Sequence, residues 1–319
     1  PVFNFGLGSM SAQIVDSYGI TDGQFGYIIT TVFLSASVTA TFLGVLADRI
    51  PTRVQLALIL AGIMAAFLVS ASHQAYWVLI VAALIAGPAQ AFSNPVTNRI
   101  IARKVPETQR ATWMGWKQSG VQLGLLVAGL TFPLVGVTAG WRGAALLGAA
   151  LCLPMIVIAW IVLSRLDHGS TAGTTRVAAG LPDSAPVGSH ATAPEPRVPA
   201  VVWLFTVTSF LNAVGTQGVN AYASLFAVRA LDYSVQRAGL VLGVIGVIGL
   251  FSRIGWGKVA GRLGQPAPLI QLMSLGGILG LLFLIAAERL QASSLMWAGV
   301  ALHAALPLAA NVVINSGIV

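Results

Sequence analysis

Two loops decide how this chain is read. The first runs Gly44-Val45-Leu46-Ala47-Asp48-Arg49-Ile50-Pro51-Thr52-Arg53. The second runs Gly257-Lys258-Val259-Ala260-Gly261-Arg262-Leu263-Gly264. Aligned on Gly44 and Gly257, they share Gly, Ala and Arg at the same offsets. Each follows a long apolar run, the second run of its half of the chain. A short charged loop recurring at equivalent places marks an internal repeat of whole helical bundles.

The surrounding composition says what those bundles are dissolved in. Of 319 residues, 56% are hydrophobic and 8% are charged. Soluble domains carry about a quarter charged residues. The 17 Lys and Arg and 9 Asp and Glu cannot cover a water-soluble surface of this length. That excludes an ordinary soluble enzyme, a nucleic-acid module and a disordered chain. The single cysteine, Cys152, lies in an apolar run and leaves no disulfide framework or cysteine metal site.

A bilayer crossing needs about 20 apolar residues. Breaks at charged or turn-rich positions give ten segments: 2–18, 23–46, 54–72, 76–100, 113–137, 142–163, 200–227, 236–260, 268–287 and 293–317. The first has no initiator Met and the last runs to Val319 without a stop signal, so a chain incomplete at both ends is expected. The breaks at 46–54, 100–113, 163–200 and 260–268, with adjacent helix ends, collect thirteen Lys and Arg against four on the opposite side. The richer side is cytoplasmic. Residues 164–198, rich in Ala, Gly, Ser, Thr and Pro, read as a flexible cytoplasmic linker. The expected organisation is an N-terminal six-helix bundle over 1–163, that linker, and a C-terminal bundle over 199–319 with four helices.

With these residues on the page, the chain resembles the major facilitator superfamily. Its signature between helices 2 and 3 is Gly-x-Leu-Ala-Asp-Arg-x-Gly-Arg-Arg/Lys. Residues 44–49 match it and Arg53 matches the last basic position, while Pro51 and Thr52 depart from it. The C-terminal copy keeps Gly257 and Arg262 but has Gly261 in place of the acid. The resemblance implies an all-α integral membrane protein of two six-helix bundles related by a pseudo-two-fold axis, here with helices 1–10. It gives Gly44, Asp48, Arg49, Arg53, Gly257 and Arg262 a gating role on the cytoplasmic side. It also implies that helices 1, 4, 7 and 10 line a central cavity while 3, 6 and 9 face lipid.

A polar census made without that resemblance finds the same rhythm. Amides concentrate in spans one, four, seven and ten: Asn4 and Gln13; Gln90, Asn94 and Asn98; Asn212, Gln217 and Asn220; Asn311 and Asn315. Gln90, Asn94 and Asn98 are four apart, as are Gln118 and Gln122 on span five, so each set forms a stripe. Amides both donate and accept and so suit a polar solute, although intramembrane amides also serve as interhelical glue. Arg253 lies inside span eight with no mid-membrane acid to pair with, which points to an anionic substrate. Its competing role is snorkelling to the cytoplasmic face or pairing with a helix end. Monocarboxylate-type members of the superfamily carry an Arg four residues before this loop Gly, as Arg253 precedes Gly257. His303 sits near the midplane of span ten and could carry a coupled proton. Asp16 reads as a solvated loop acid. Gly120, Gly124 and Ala128 on span five, and Gly239 and Gly243 on span eight, are small residues four apart that let helices approach closely.

The substrate-binding candidates are therefore Arg253, His303, Gln90, Asn94, Gln118, Gln122, Asn212, Asn220 and Asn311. No phosphate-cradling Gly-rich loop, nucleophile elbow or zinc-protease motif occurs, so neither an ATP-driven machine nor an enzyme is expected, and no cofactor. The expected function is secondary active transport of a small solute, an organic anion, by alternating access in the plasma membrane. Its partners would be the substrate, a proton or counter-substrate, and the bilayer, with the protein acting as a monomer and binding no nucleic acid. A multidrug or metabolite efflux antiporter, and a non-transporting sensor on the same scaffold, are the alternatives.

Overall fold

The first sequence segment is not one helix but two. In the computed structural model, which describes residues 1–174, 200–263 and 266–316, α1 (Val2–Ser9) and α2 (Ser11–Tyr18) meet at Met10. Then follow α3 (Asp22–Arg49), α4 (Thr52–Ser72), α5 (Tyr76–Lys104) and α6 (Glu107–Thr174). The second half contains α7 (Ala200–Leu231), α8 (Val235–Leu263), α9 (Pro266–Leu290), α10 (Ser293–Ala305) and, after one 3-10 turn, α11 (Ala310–Ser316). Among the described residues, seven stretches are long and apolar enough to cross a membrane. One of them, Thr112–Val162, is 51 residues long and serves for two passes.

The breaks have local causes. Gly19 closes α2 at φ 61°, a left-handed conformation that glycine adopts without penalty. A capping box opens α3: Thr21 Oγ1 accepts from Gln24 N at 3.1 Å, and Gln24 Oε1 accepts from Thr21 N at 2.8 Å. Within α6, Gly140 at φ 61° and ψ −169° breaks the helix between segments five and six. Residues 164–174, read from the sequence as the start of the linker, continue α6 as helix; the remainder of that linker lies outside the described residues.

Helix α3 packs on α5, α4 packs on α5 and α6, and α5 also touches α6, while α9 and α10 pack together and on α8. The largest contacts that join the halves are those of α6 along α8 and of α1 against α7, with α2 also touching α7. At the α6–α8 seam a Cβ on Gly129 would stand 2.6 Å from Gly243 N, and one on Gly246 would stand 2.6 Å from Leu126 N. Gly239 and Gly243 thus do the packing expected of them. Their partner is Gly129, however, and not Gly120 or Gly124: nothing lies within 4 Å of a Cβ at Gly120, and Gly124 meets only Val2 and Phe5. Rotation about the helix axis turns those two glycines away from the seam. The outer face of α9, with Leu272, Leu275, Leu279 and Leu282, is exposed and apolar, as a lipid-facing helix requires.

Candidate functional site

The second half contains a helix that stops at membrane depth. Pro307 has no N–H to donate, so α10 ends at Ala305 and the chain resumes as α11. Carbonyls freed by such a break need partners inside a bilayer. Helix α8 supplies them from one face: Ser252 Oγ and Trp256 Nε1 donate to Ala305 O, the latter at 2.8 Å, and Arg253 Nε donates to Leu308 O at 3.2 Å.

Arg253 then reaches across to the first half. Its Nη1 donates to Gln118 O at 2.8 Å. With its amide oxygen turned toward the guanidinium, Gln122 accepts from Nη2 at 2.9 Å. Gly249, one turn before Arg253, makes room for that amide, since a Cβ there would stand 3.0 Å from Gln122 Cδ. The guanidinium is 5% exposed, and among the described residues no carboxylate pairs with it. Three neutral oxygens occupy part of its five-donor fork and leave the remaining N–H groups for a ligand.

A second cation lies near it. Lys117 Nζ donates to Asn94 Oδ1 at 3.1 Å and to Asn98 Oδ1 at 2.6 Å. Lys117 and Arg253 both line a cavity of about 1090 Å³ between the halves. Among the described residues no Asp or Glu lines it. Its amide lining comprises Gln90, Asn94, Gln118, Gln122, Asn220 and Asn311, joined by Gln217. Phe5, Phe33 and Phe210 give it apolar walls.

The sequence candidates thus separate into three groups. Arg253, Gln90, Asn94, Gln118, Gln122, Asn220 and Asn311 do line the cavity. Asn212 stands behind it and donates to Asn311 Oδ1 at 3.3 Å. His303 is 6% exposed and absent from the cavity lining, packed in α10 beside Gly280 of α9. Its depth along the helix was legible, but its direction around the helix was not. Gln13 is interhelical glue, donating to Gly136 O at 2.6 Å. Asn315 lies outside the described side chains.

Of the gating residues, Arg49 and Arg262 are exposed and Arg53 lies over the Trp160 ring at 5.7 Å from its centroid. No atom lies within 4 Å of a Cβ at Gly44, and one at Gly257 would meet Val312 at 3.4 Å. The Asp48 side chain lies outside the described ones.

Sequence reasoning missed two features. Lys117 was grouped with the positive-inside charges, although its position one residue before Gln118 already set it beside the amide stripe. Asp16 was read as a solvated loop acid; it is exposed, and its Oδ1 also accepts from Arg229 Nη2 at 2.6 Å across the halves. Nothing in the sequence links positions 213 residues apart. Near that pair, Tyr222 Oη donates to Asp22 O at 3.2 Å and Ser224 Oγ to Ser9 O at 3.1 Å. These contacts tie α1–α3 to α7 at the end of the bundle where α2 meets α3, and the cavity runs from Gly26 and Tyr222 beside them to Thr97 and Lys117.

The chain belongs to the Major Facilitator Superfamily, whose profile matches residues 2–318. It is a multi-pass membrane protein. It is 25% identical over 311 residues to a Chlamydia trachomatis protein named "Probable hexose phosphate transport protein", covering 88% of this chain and 65% of that one. It is 23% identical over 281 residues to the multidrug resistance protein MdtG of a Rahnella species, covering 83% of this chain and 63% of the relative. The chain therefore spans about two thirds of the length of these relatives. Among solved structures, it superposes on a D-xylose-proton symporter with TM-score 0.66 at 14% identity, over 99% of this chain and 84% of that one. A bacterial homologue of the human lysosomal transporter Spinster gives TM-score 0.67 at 16% identity, over 97% and 70%.

Proposed function

We propose that the protein is a secondary transporter that carries a small organic anion by alternating access. The two bundles, residues 1–163 and 199–319, would rock about the central cavity. One observation supports the anion most directly: the cavity holds two cationic side chains, Lys117 and Arg253, and no acidic one. Two positive charges at membrane depth without a counter-charge are costly, and an anionic solute would offset that cost. The amides beside them would orient the solute, since they both donate and accept. The relative named for hexose phosphate is consistent with an anionic cargo.

Efflux of apolar compounds is a second reading. It draws on the aromatic wall formed by Phe5, Phe33 and Phe210 and on the relative named MdtG.

Gly44, Asp48, Arg49, Arg53, Gly257 and Arg262 would act at the cytoplasmic gate. Asp48→Asn is expected to slow turnover about tenfold with substrate affinity unchanged, as read by uptake rates and equilibrium binding. Altered affinity at unchanged turnover would remove Asp48 from the gate. Counterflow in proteoliposomes tests the cargo class. Exchange of small carboxylates or phosphate esters, with none of neutral sugars or lipophilic cations, is expected. Exchange of lipophilic cations alone would favour the efflux reading.

A further inference from the structure

A side pocket opens from the cavity where α1 meets α7. It is lined by Asn4, Phe5, Ile29, Phe33, Gln217, Asn220 and Ala221. All of these except Asn4 also line the main cavity, so the two spaces are continuous. The side pocket is about 10 Å³, room for one water-sized group.

Two acceptors without partners line this pocket. Asn4 is 7% exposed and Asn220 is 6% exposed. Their amide nitrogens are already used: Asn4 Nδ2 donates to Gln90 Oε1 at 3.2 Å, and Asn220 Nδ2 to Gln217 Oε1 at 3.3 Å. Neither Oδ1 accepts a hydrogen bond from the protein. The residues belong to opposite halves of the molecule. Gly8 lets the two helices close on this spot, since a Cβ there would stand 2.8 Å from Asn220 O. Buried acceptors are ordinarily satisfied, and a pair left open at a ligand cavity marks a place where the ligand brings the donor.

We infer that Asn4 and Asn220 form a hydroxyl-recognition subsite, so that the cargo is a hydroxylated organic anion such as a sugar acid or a phosphate ester of a polyol. This rests on the anion reading above for the other end of the solute. Arg253 and Lys117 would take the charged group while the two amide oxygens accept from hydroxyls across the cavity. An ammonium donor fits less well. Among the described residues no carboxylate lines either space, so a full positive charge would be buried uncompensated. A hydroxyl is neutral and matches the size of the pocket.

The test is equilibrium binding of D-gluconate, hexanoate, 6-aminohexanoate and D-glucose to the purified full-length protein. The wild type is compared with Asn4→Leu and Asn220→Leu. Gluconate is expected to bind at least about tenfold more tightly than hexanoate, because a site built to bond a hydroxyl rejects its absence. Each variant should bring that ratio near one by weakening gluconate, and a melting temperature within a few degrees of the wild type shows that the variant is folded. Equal binding of gluconate and hexanoate by the wild type would overturn the subsite and leave the anion reading standing. A ratio unmoved in both variants, or 6-aminohexanoate binding more tightly than gluconate, would also overturn it. If D-glucose binds as well as gluconate and both variants weaken it, the subsite stands and the anion reading fails. Binding of none of the four would overturn both.

Discussion

The two halves of this molecule meet in two ways. Where Leu126–Pro133 of α6 meets Gly239–Gly246 of α8 they meet backbone against backbone: a Cβ on Gly129 would stand 2.6 Å from Gly243 N, and one on Gly239 would stand 2.8 Å from Gly129 O. Between α1, α3, α5 and the Lys117–Gly124 stretch of α6 on one side and α7, α8 and α11 on the other, they meet across about 1090 Å³ lined with amides and two cations. The chain therefore divides one interface into a glycine-lined stretch packed on backbone and a cavity that the Arg253 bonds to Gln118 O and Gln122 border. Glycine contacts hold helices close through packing alone. Hydrogen-bonding groups fix the position of whatever lies between them. The first suits surfaces that shift on one another, and the second suits a solute that must be held.

Overfilling the seam should break the comparison most severely. Gly129→Leu has no space for its side chain and is expected to lose the folded protein or to lower its melting temperature by about 5 °C or more. Gly120→Leu, on the same helix but with no atom within 4 Å of its Cβ, should melt like the wild type. Equal melting of the two variants would mean that the seam is not close-packed.

Charge removal in the cavity comes next. Arg253→Ala is expected to reduce anion uptake about a hundredfold, and Lys117→Gln about tenfold, the smaller effect because Lys117 is the more exposed of the two. Because Arg253 also braces the α10–α11 break, Arg253→Lys separates its two roles. It keeps the charge but loses the fork that reaches Leu308 O, Gln118 O and Gln122. Uptake at the wild-type rate by Arg253→Ala would remove this residue from the site.

The smallest effect belongs to the extracytoplasmic tie. The Asp16–Arg229 pair measures 2.6 Å, with side chains 59% and 48% exposed. Exposed pairs contribute about 0–1 kcal/mol. Asp16→Asn should change turnover by less than about fivefold, and a loss well beyond that in an uptake assay would make the pair a principal gate.

What could be read in the sequence followed from how each signal is encoded. Helix positions, the loop at 44–53 and the Gly257 loop are written in local composition and spacing, and the superfamily is legible there. Gln90 and Asn94 repeat every four residues on a helix otherwise apolar, so their shared face was legible too. Rotation of a helix against its neighbours is not local. That is why His303 turned out to pack beside α9 and why Gly129 took the place expected of Gly120 and Gly124. Lys117 illustrates a different loss: near a helix end, a charge that sets topology and a charge that lines a cavity look alike. Asn4 and Gln13, nine residues apart, form no stripe, and only the fold brings Asn4 to Asn220.

The most direct test of a solute-accessible cavity uses the chain's single cysteine. Cys152 is buried, so a Cys152→Ala protein offers a thiol-free background. Ser93 lines the cavity, and Leu281 faces the lipid side. In that background, Ser93→Cys should react with a membrane-impermeant thiol reagent from the cytoplasmic side. Reaction from the opposite side should appear only during anion exchange, while Leu281→Cys stays unreactive throughout. A Ser93→Cys protein as inert as Leu281→Cys from both sides, with and without anion, would contradict a water-filled site that opens alternately to each face.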